Sequence, residues 1–265
     1  MGLGDMMNQG KWALVTGASS GIGKELAIEL AKKGMNLVLI ARREPLLKQL
    51  QSDLQSYNIE SEVLPIDLTS QKSADQIKNW LIQKDIRPFV LVNNAGRGLY
   101  GHFLNQSSAE IEQVMQLNMH ALTLMCREII PYMQQGGHVL LVSSTIAYIP
   151  VPQYSVYAAT KSYVHSFGYA LADDLKPNIN VTILYPGVTD TAFFEVSHHK
   201  MANWLKKVLT YQPSFVAQVG VKAMLQKKTR VMPGILNQIL TYSSLVTPDY
   251  ITRLMLKNIF NLGGE

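Results

Sequence analysis

The chain has 265 residues, of which 47% are hydrophobic and 16% charged, and a single cysteine. That length fits one large domain or two small ones around a sizeable core, and the composition excludes disorder. One cysteine excludes an internal disulfide framework and a zinc site built on several thiolates. The net charge of +5 is uneven: residues 1–195 hold 15 basic and 17 acidic groups, residues 196–248 hold seven basic groups and no acid, and residues 249–265 hold two of each.

In chain order, MGLGDMMNQGKW lacks the basic and apolar regions of a secretory signal, and Met6 stands where myristoylation needs Ser or Thr. No apolar run is long enough to span a bilayer, so a cytoplasmic location is expected. WALVT (12–16) reads as a buried strand entering a Gly-rich turn. Residues 22–33 place Ile22, Leu26, Ile28, Leu30 and Ala31 at near-helical spacing, with Gly34 as the stop. NLVLIA (36–41) is a second strand, 46–57 a helix with Pro45 at its start, and 60–66 a third strand ending at Asp67. FVLVNNAG (89–96) is a strand running into a loop. Residues 108–133 form a long helical stretch in which Cys126 reads as a small buried hydrophobe. GHVLLVSS (137–144) is a strand, 154–175 a helix up to Pro177, and INVTILYPG (179–187) a strand ending in a turn. Apolar strands alternating with helices argue for an α/β, doubly wound, parallel sheet covered on both faces, in one domain over 1–265. Ligands in such folds sit at the carboxyl ends of the strands, and each motif below falls there.

The turn Thr16-Gly17-Ala18-Ser19-Ser20-Gly21-Ile22-Gly23 follows the first strand and opens a helix. Gly17 permits the tight turn, Gly21 lets backbone approach a pyrophosphate, and Gly23 allows close packing, while the helix start offers free N–H groups to phosphates. After the second strand, where an NAD site usually carries an acid, stands Ala41-Arg42-Arg43. A guanidinium binds a 2′-phosphate that a carboxylate would repel, so the expected cofactor is NADP(H), with Ser19 and Ser20 donating to the same phosphate. The alternative is that Arg42 and Arg43 are surface charges of the next helix.

Tyr157 and Lys161 lie four apart in a helix and share a face. An ammonium stabilises a phenolate and fits a tyrosine for acid–base work. Ser144, at the end of a strand, is placed to hold a substrate oxygen. With these residues in view the chain resembles a short-chain dehydrogenase/reductase of the core type. Its T-G-x-x-x-G-x-G runs from Thr16 to Gly23, and its N-N-A-G from Asn93 to Gly96. The family's Asn matches Asn118, its Ser Ser144, and its Tyr and Lys Tyr157 and Lys161. P-G-x-x-x-T appears as Pro186, Gly187 and Thr191, and the Asp after the third strand as Asp67.

The resemblance implies a single Rossmann-like domain with a seven-stranded parallel sheet in the order 3-2-1-4-5-6-7. It also implies NADPH-dependent reduction of a carbonyl to an alcohol. Tyr157 would protonate the forming alkoxide and Ser144 would hydrogen-bond the carbonyl oxygen. Lys161 would lower the Tyr157 pKa and bind the nicotinamide ribose, and Asn118 would hold a water that relays protons through Lys161. Gly17, Gly21, Ile22 and Gly23 would line the pyrophosphate, with Ser19 and Ser20 at the 2′-phosphate. Asp67 and Leu68 would meet the adenine, and Asn94, Ala95 and Gly96 its ribose and the sheet. Pro186, Gly187, Val188 and Thr189 would meet the nicotinamide, with Thr191 on the carboxamide or pyrophosphate.

Substrate choice is expected in Leu99 to Phe103, in Ile146 to Tyr154, and in a lid over 190–212 that carries Phe193, Phe194, Trp204, Leu205, Val208 and Leu209. These either line a pocket for an apolar ketone or aldehyde or simply pack the lid on the core. Residues 235–265 are a helical C-terminal extension broken at Pro248, read as a subunit interface or, with the basic stretch before it, a membrane-surface patch. The basic third is otherwise a solvated helix face. A homodimer or homotetramer is expected, with no nucleic-acid partner. No metal is expected either, since His198-His199 is the one adjacent histidine pair. Two other readings stand: a non-catalytic NADP-binding sensor or scaffold, and the same site run as an alcohol dehydrogenase. The intact Asn118, Ser144, Tyr157 and Lys161 argue against the sensor.

Overall fold

Successive residues of a strand point to opposite faces, and in this protein both faces are buried. The structure, a computed structural model, describes residues 8–149, 151–189, 210–248 and 250–251. Its strands are β1 (Trp12–Thr16), β2 (Asn36–Ala41), β3 (Ser61–Pro65), β4 (Pro88–Asn93), β5 (His138–Val142), β6 (Asn180–Leu184) and β7 (Arg230–Val231). They form one sheet in the order β3-β2-β1-β4-β5-β6-β7, parallel throughout. The helices are α1 (Gly21–Ala31), α2 (Glu44–Asp53), α3 (Ser73–Gln83), α4 (Ser108–Met115), α5 (Leu122–Ile129), α6 (Ser155–Asp174), α7 (Pro213–Leu225) and α8 (Ile235–Val246).

Strand β2 shows how the layers form. Leu37 and Leu39 pack with Leu26 and Leu30 of α1, Leu47 of α2 and Val216 of α7. Val38 and Ile40 point the other way, into a core with Ile77 and Leu81 of α3, Met125 and Ile129 of α5 and Val164 of α6. Cys126 belongs to this second core, 2% exposed, and burial raises its pKa to about 12, which makes it an inert packing residue. Strand order reverses between β1 and β4, and the crevice at their carboxyl ends receives the motifs.

Element limits differ from the sequence reading in instructive places. The helix expected over 46–57 starts at Glu44 and tightens into a 3₁₀ turn over Leu54–Tyr57. The stretch expected as helix over 108–133 is interrupted by a π turn, Gln116–Ala121, between α4 and α5. Helices α3 and α7 and strand β7 occupy segments for which the sequence suggested no element. Strand β7 is two residues long, too short for any periodicity. In the C-terminal extension α8 is present and ends at Val246, before Pro248, and residues 252–265 lie outside the described part. Among the described residues no helix is long and apolar enough to cross a membrane.

His138 opens β5 and is 4% exposed, with the Phe89 ring edge-on at 5.3 Å. Among the described residues its Nδ1 meets no hydrogen-bond partner. Burial, followed by the charges of Lys227 and Lys11, lowers its pKa to about 4. Between pH 6.5 and that value the unfolded chain takes up a proton that the folded chain refuses, so stability falls with pH across this window. The linkage amounts to about 2 kcal/mol between neutral pH and pH 5. Urea unfolding of His138→Leu is therefore expected to lack that part of the acid slope. A variant with the full acid slope would show that His138 is not the group that titrates.

Candidate active site

Thr16 ends β1 and is 1% exposed. Its hydroxyl donates to the Val92 carbonyl (3.1 Å) and accepts the N–H groups of Asn94 (3.0 Å) and Ala95 (3.1 Å). The Asn94 amide donates in return to the Thr16 carbonyl at 3.0 Å. These bonds lock the turn after β1 to the loop after β4. Gly17 sits at φ +69°, and a Cβ on Gly23 would stand 2.2 Å from the Gly17 carbonyl oxygen. Only a residue without a side chain lets α1 begin this close to the turn. Asn94, expected beside a ribose, spends its amide on the turn.

The crevice is a cleft of about 710 Å³. Gly17, Ser19, Ser20, Gly21, Ile22, Gly23, Arg42, Arg43, Asp67, Leu68, Asn94, Ala95, Gly96, Pro186, Gly187, Val188 and Thr189 all line it, together with Ser144, Tyr157 and Lys161. Thr191 lies outside the described residues, as do Phe193, Phe194, Trp204, Leu205, Val208, Leu209 and most of the expected lid.

At one end of the cleft the Arg43 guanidinium donates to the hydroxyls of Ser19 (3.0 Å) and Ser20 (2.9 Å). Arg42 instead lies 3.9 Å from the Asp67 carboxylate, both side chains well exposed. Asp67 also accepts the N–H (3.0 Å) and hydroxyl (2.8 Å) of Thr69. The sequence weighted Arg42 and Arg43 alike, whereas the geometry groups Arg43 with the two serines.

At the other end, Tyr157 and Lys161 stand one turn apart on α6, 8% and 5% exposed. The Lys161 ammonium donates to the Val142 carbonyl at 2.8 Å and lies 5.8 Å from the centre of the Tyr157 ring. Burial lowers its pKa to about 8. Burial also pushes the Tyr157 phenol above its ordinary range, while a hydrogen bond with Ser144 pulls it down and Tyr154 pushes it up. Burial, rather than the lysine, sets the direction in this arrangement. The Ser144 hydroxyl donates to the Pro186 carbonyl and accepts the Ile146 N–H, both at a long 3.3 Å. Bonds this weak are readily exchanged for one to a substrate oxygen. Ser143, which the sequence reading passed over, donates to the Lys161 carbonyl at 2.9 Å and ties α6 to the end of β5.

Asn118 stands behind the cleft wall in the π turn, 1% exposed. Its Oδ1 accepts the Arg97 N–H (2.8 Å), and its amide donates to the Arg97 carbonyl (3.0 Å) and the Thr160 hydroxyl (3.0 Å). It therefore pins the loop after β4 to α6. A Cβ on Gly96 would lie 3.3 Å from Asn118 Oδ1 and 3.6 Å from Lys161 Nζ, so the glycine leaves a polar slot open between them.

The expected substrate loops meet over this end. The Gly101 N–H donates to the Gln153 carbonyl at 2.9 Å, and the Tyr154 ring lies 5.0 Å from Tyr100 and 6.0 Å from Tyr157. Ile146, Ile149 and Val151 give the cleft an apolar wall, whereas Phe103 is 54% exposed and stays outside it.

The chain is similar to known proteins. The chain is 36% identical over 223 residues to the very-long-chain 3-oxoacyl-CoA reductase of Bos taurus, covering 81% of this chain and 70% of the relative. It is 34% identical over 194 residues to the human 17-beta-hydroxysteroid dehydrogenase type 3, covering 71% and 62%. This chain thus spans less than two thirds of the length of the human enzyme. A short-chain dehydrogenase from Sphingobium yanoikuyae in complex with NADPH superposes with a TM-score of 0.78 at 26% identity, over 90% of this chain and 96% of the other. The family model described as short chain dehydrogenase matches residues 11–202, which hold the Gly-rich turn, Asn118, Ser144, Tyr157 and Lys161, and the chain belongs to that family.

Proposed function

We propose that the protein is an NADPH-dependent reductase that converts an apolar ketone or aldehyde to its alcohol. The observation that carries this reading is the Ser144–Tyr157 hydrogen-bonded pair facing the same cleft as the Arg43, Ser19 and Ser20 corner. The residues fit a dinucleotide: glycines at 17 and 23 that let the turn fold tightly against Asn94 at the start of α1, and a guanidinium flanked by two hydroxyls where a 2′-phosphate needs donors. Arg43, Ser19 and Ser20 would take that phosphate, the turn from Gly17 to Gly23 the pyrophosphate, and Lys161 a ribose hydroxyl. When bound, the cofactor supplies a hydride to the carbonyl carbon.

The rest is the work of the chain. Ser144 donates a hydrogen bond to the carbonyl oxygen and orients it toward Tyr157. Tyr157, protonated at neutral pH, gives its proton to that oxygen as negative charge develops there, so two preorganised donors meet the charge. Lys161 stabilises the phenolate left behind. A water in the slot beside Gly96, between Asn118 Oδ1 and Lys161 Nζ, would return a proton through the lysine. Asn118 is a positioning residue, since both hydrogens of its amide are committed. The apolar wall of Ile146, Ile149 and Val151 favours a hydrophobic substrate, and the relatives bear the names of steroid and acyl-chain enzymes. A homodimer or homotetramer accords with the family's habit.

The test is loss of NADPH absorbance with a panel of apolar ketones, aldehydes and 3-oxoacyl thioesters. Turnover of at least one class, faster with NADPH than with NADH, is the expected result. Tight NADPH binding without turnover of any of them would favour the sensor reading.

A further inference from the structure

Helix α8 is inside out. Its buried residues are the polar Asn237 and Thr241, 6% and 1% exposed. Its apolar residues face outward, with Ile235 76%, Ile239 58%, Leu245 55% and Val246 84% exposed. The inward face is fixed by the cleft. Asn237 donates to the Pro233 carbonyl at 3.0 Å and lies so close to Gly187 that a Cβ there would stand 2.2 Å from its Nδ2. A contiguous apolar face of this kind on a helix needs a partner.

The surrounding charge identifies that partner. Helix α8 carries no charged residue, and residues 196–248 contain no acid. Lys222, Lys227, Lys228 and Arg230, in the segment that precedes it, are exposed, and the Arg230 guanidinium lies 5.5 Å from the centre of the Tyr242 ring. A second copy docked through this face would offer no acid from its own α8 to meet Arg230. An anionic surface with an apolar interior meets both features: acidic headgroups for the lysines, acyl chains for Ile239, Leu245 and Val246. We propose that α8 is a membrane-docking helix that lies in the interface of an anionic lipid bilayer, beside the Gly187 end of the cleft. This goes beyond the reductase reading and stands without it, because docking needs no turnover.

Vesicle flotation of the full chain tests it, with phosphatidylglycerol/phosphatidylethanolamine vesicles against pure phosphatidylcholine. Flotation with the anionic vesicles alone is expected, weakening several-fold as salt is raised. The double variant Ile239→Glu/Leu245→Glu is expected to lose partitioning by about tenfold or more, with NADPH binding unchanged as evidence of folding. The pair Lys227→Ala/Lys228→Ala, which leaves the apolar face intact, is expected to lose it about three- to tenfold. No flotation at low salt overturns the proposal. Flotation that both pairs leave unchanged also overturns it. Absence of flotation with a dimer that Ile239→Glu/Leu245→Glu splits into monomers would assign the face to a second copy. Absence of flotation with lowered thermal stability in that variant would assign it to cover by the chain's own residues.

Discussion

Replacing Tyr157 by Phe is expected to lower kcat about a thousandfold, the usual worth of a positioned general acid, while NADPH binding stays within about twofold. The substitution removes one hydroxyl, and the side chain is 8% exposed in a packed wall, so the ring keeps its place. The proton donor and its bond to Ser144 disappear. Steady-state kinetics with calorimetry on the same preparation separates the two readouts. A kcat within tenfold of the parent would remove Tyr157 from the role of acid. The pH dependence carries a second mark. Burial keeps the Tyr157 proton in place through neutral pH, as reduction requires, and the charge that helps it leave belongs to Lys161, whose pKa is about 8. As pH rises through that value the lysine loses its charge, so kcat/KM for reduction is expected to fall on the alkaline side with an inflection near pH 8. In Lys161→Met the inflection should vanish along with most of the rate. An alkaline limb that persists in this variant would assign it to another group.

Arg43→Ala is expected to weaken NADPH binding by about 10- to 100-fold, the worth of a lost charge-assisted hydrogen bond to a phosphate. NADH should be affected by less than about threefold. Arg42→Ala should cost NADPH less, because Arg42 faces Asp67 at 3.9 Å and lies away from the two serines. Ser19→Ala and Ser20→Ala should each fall between. Titration of each variant with both dinucleotides, read by tryptophan fluorescence or calorimetry, distinguishes the outcomes. Equal losses for NADPH and NADH would mean that Arg43 stiffens the turn and does not read the 2′-phosphate.

Much of this was legible in the sequence, for physical reasons. NLVLIA could be read as a strand because both faces of it are buried, which makes the run continuously apolar. The Gly-rich turn and the Tyr157–Lys161 spacing were legible because each requirement acts within a few residues. Helix α3 was not, since its inward stripe is little more than Ala74, Ile77 and Leu81 amid polar residues. The separation of Arg43 from Arg42 was hidden because it depends on Ser19 and Ser20, which arrive from another strand. Ser143 and Thr16 act through main-chain partners 18 and 76 residues away, a distance that no local pattern records. The π turn was invisible for a different reason: it repeats the helical pattern with one extra residue per turn, and its purpose is seen only when Asn118 reaches Arg97 and Thr160. For α8 the sequence offered an interface or a membrane-surface patch, but that Asn237 and Thr241 form its inward side was hidden, because an apolar stripe on a helix normally marks the side that faces inward.

The two ends of the sheet have a consequence for solubility. Strand β3 closes one edge with Pro65 at its end and with Glu62 bonded to Lys84 at 3.0 Å. Strand β7 closes the other with two residues, the first an exposed arginine. Proline, charge and shortness are the devices that keep an open edge from templating a neighbour's backbone. Self-association through strand pairing, the usual route to amyloid-like aggregates, is thereby disfavoured at both borders of the described sheet.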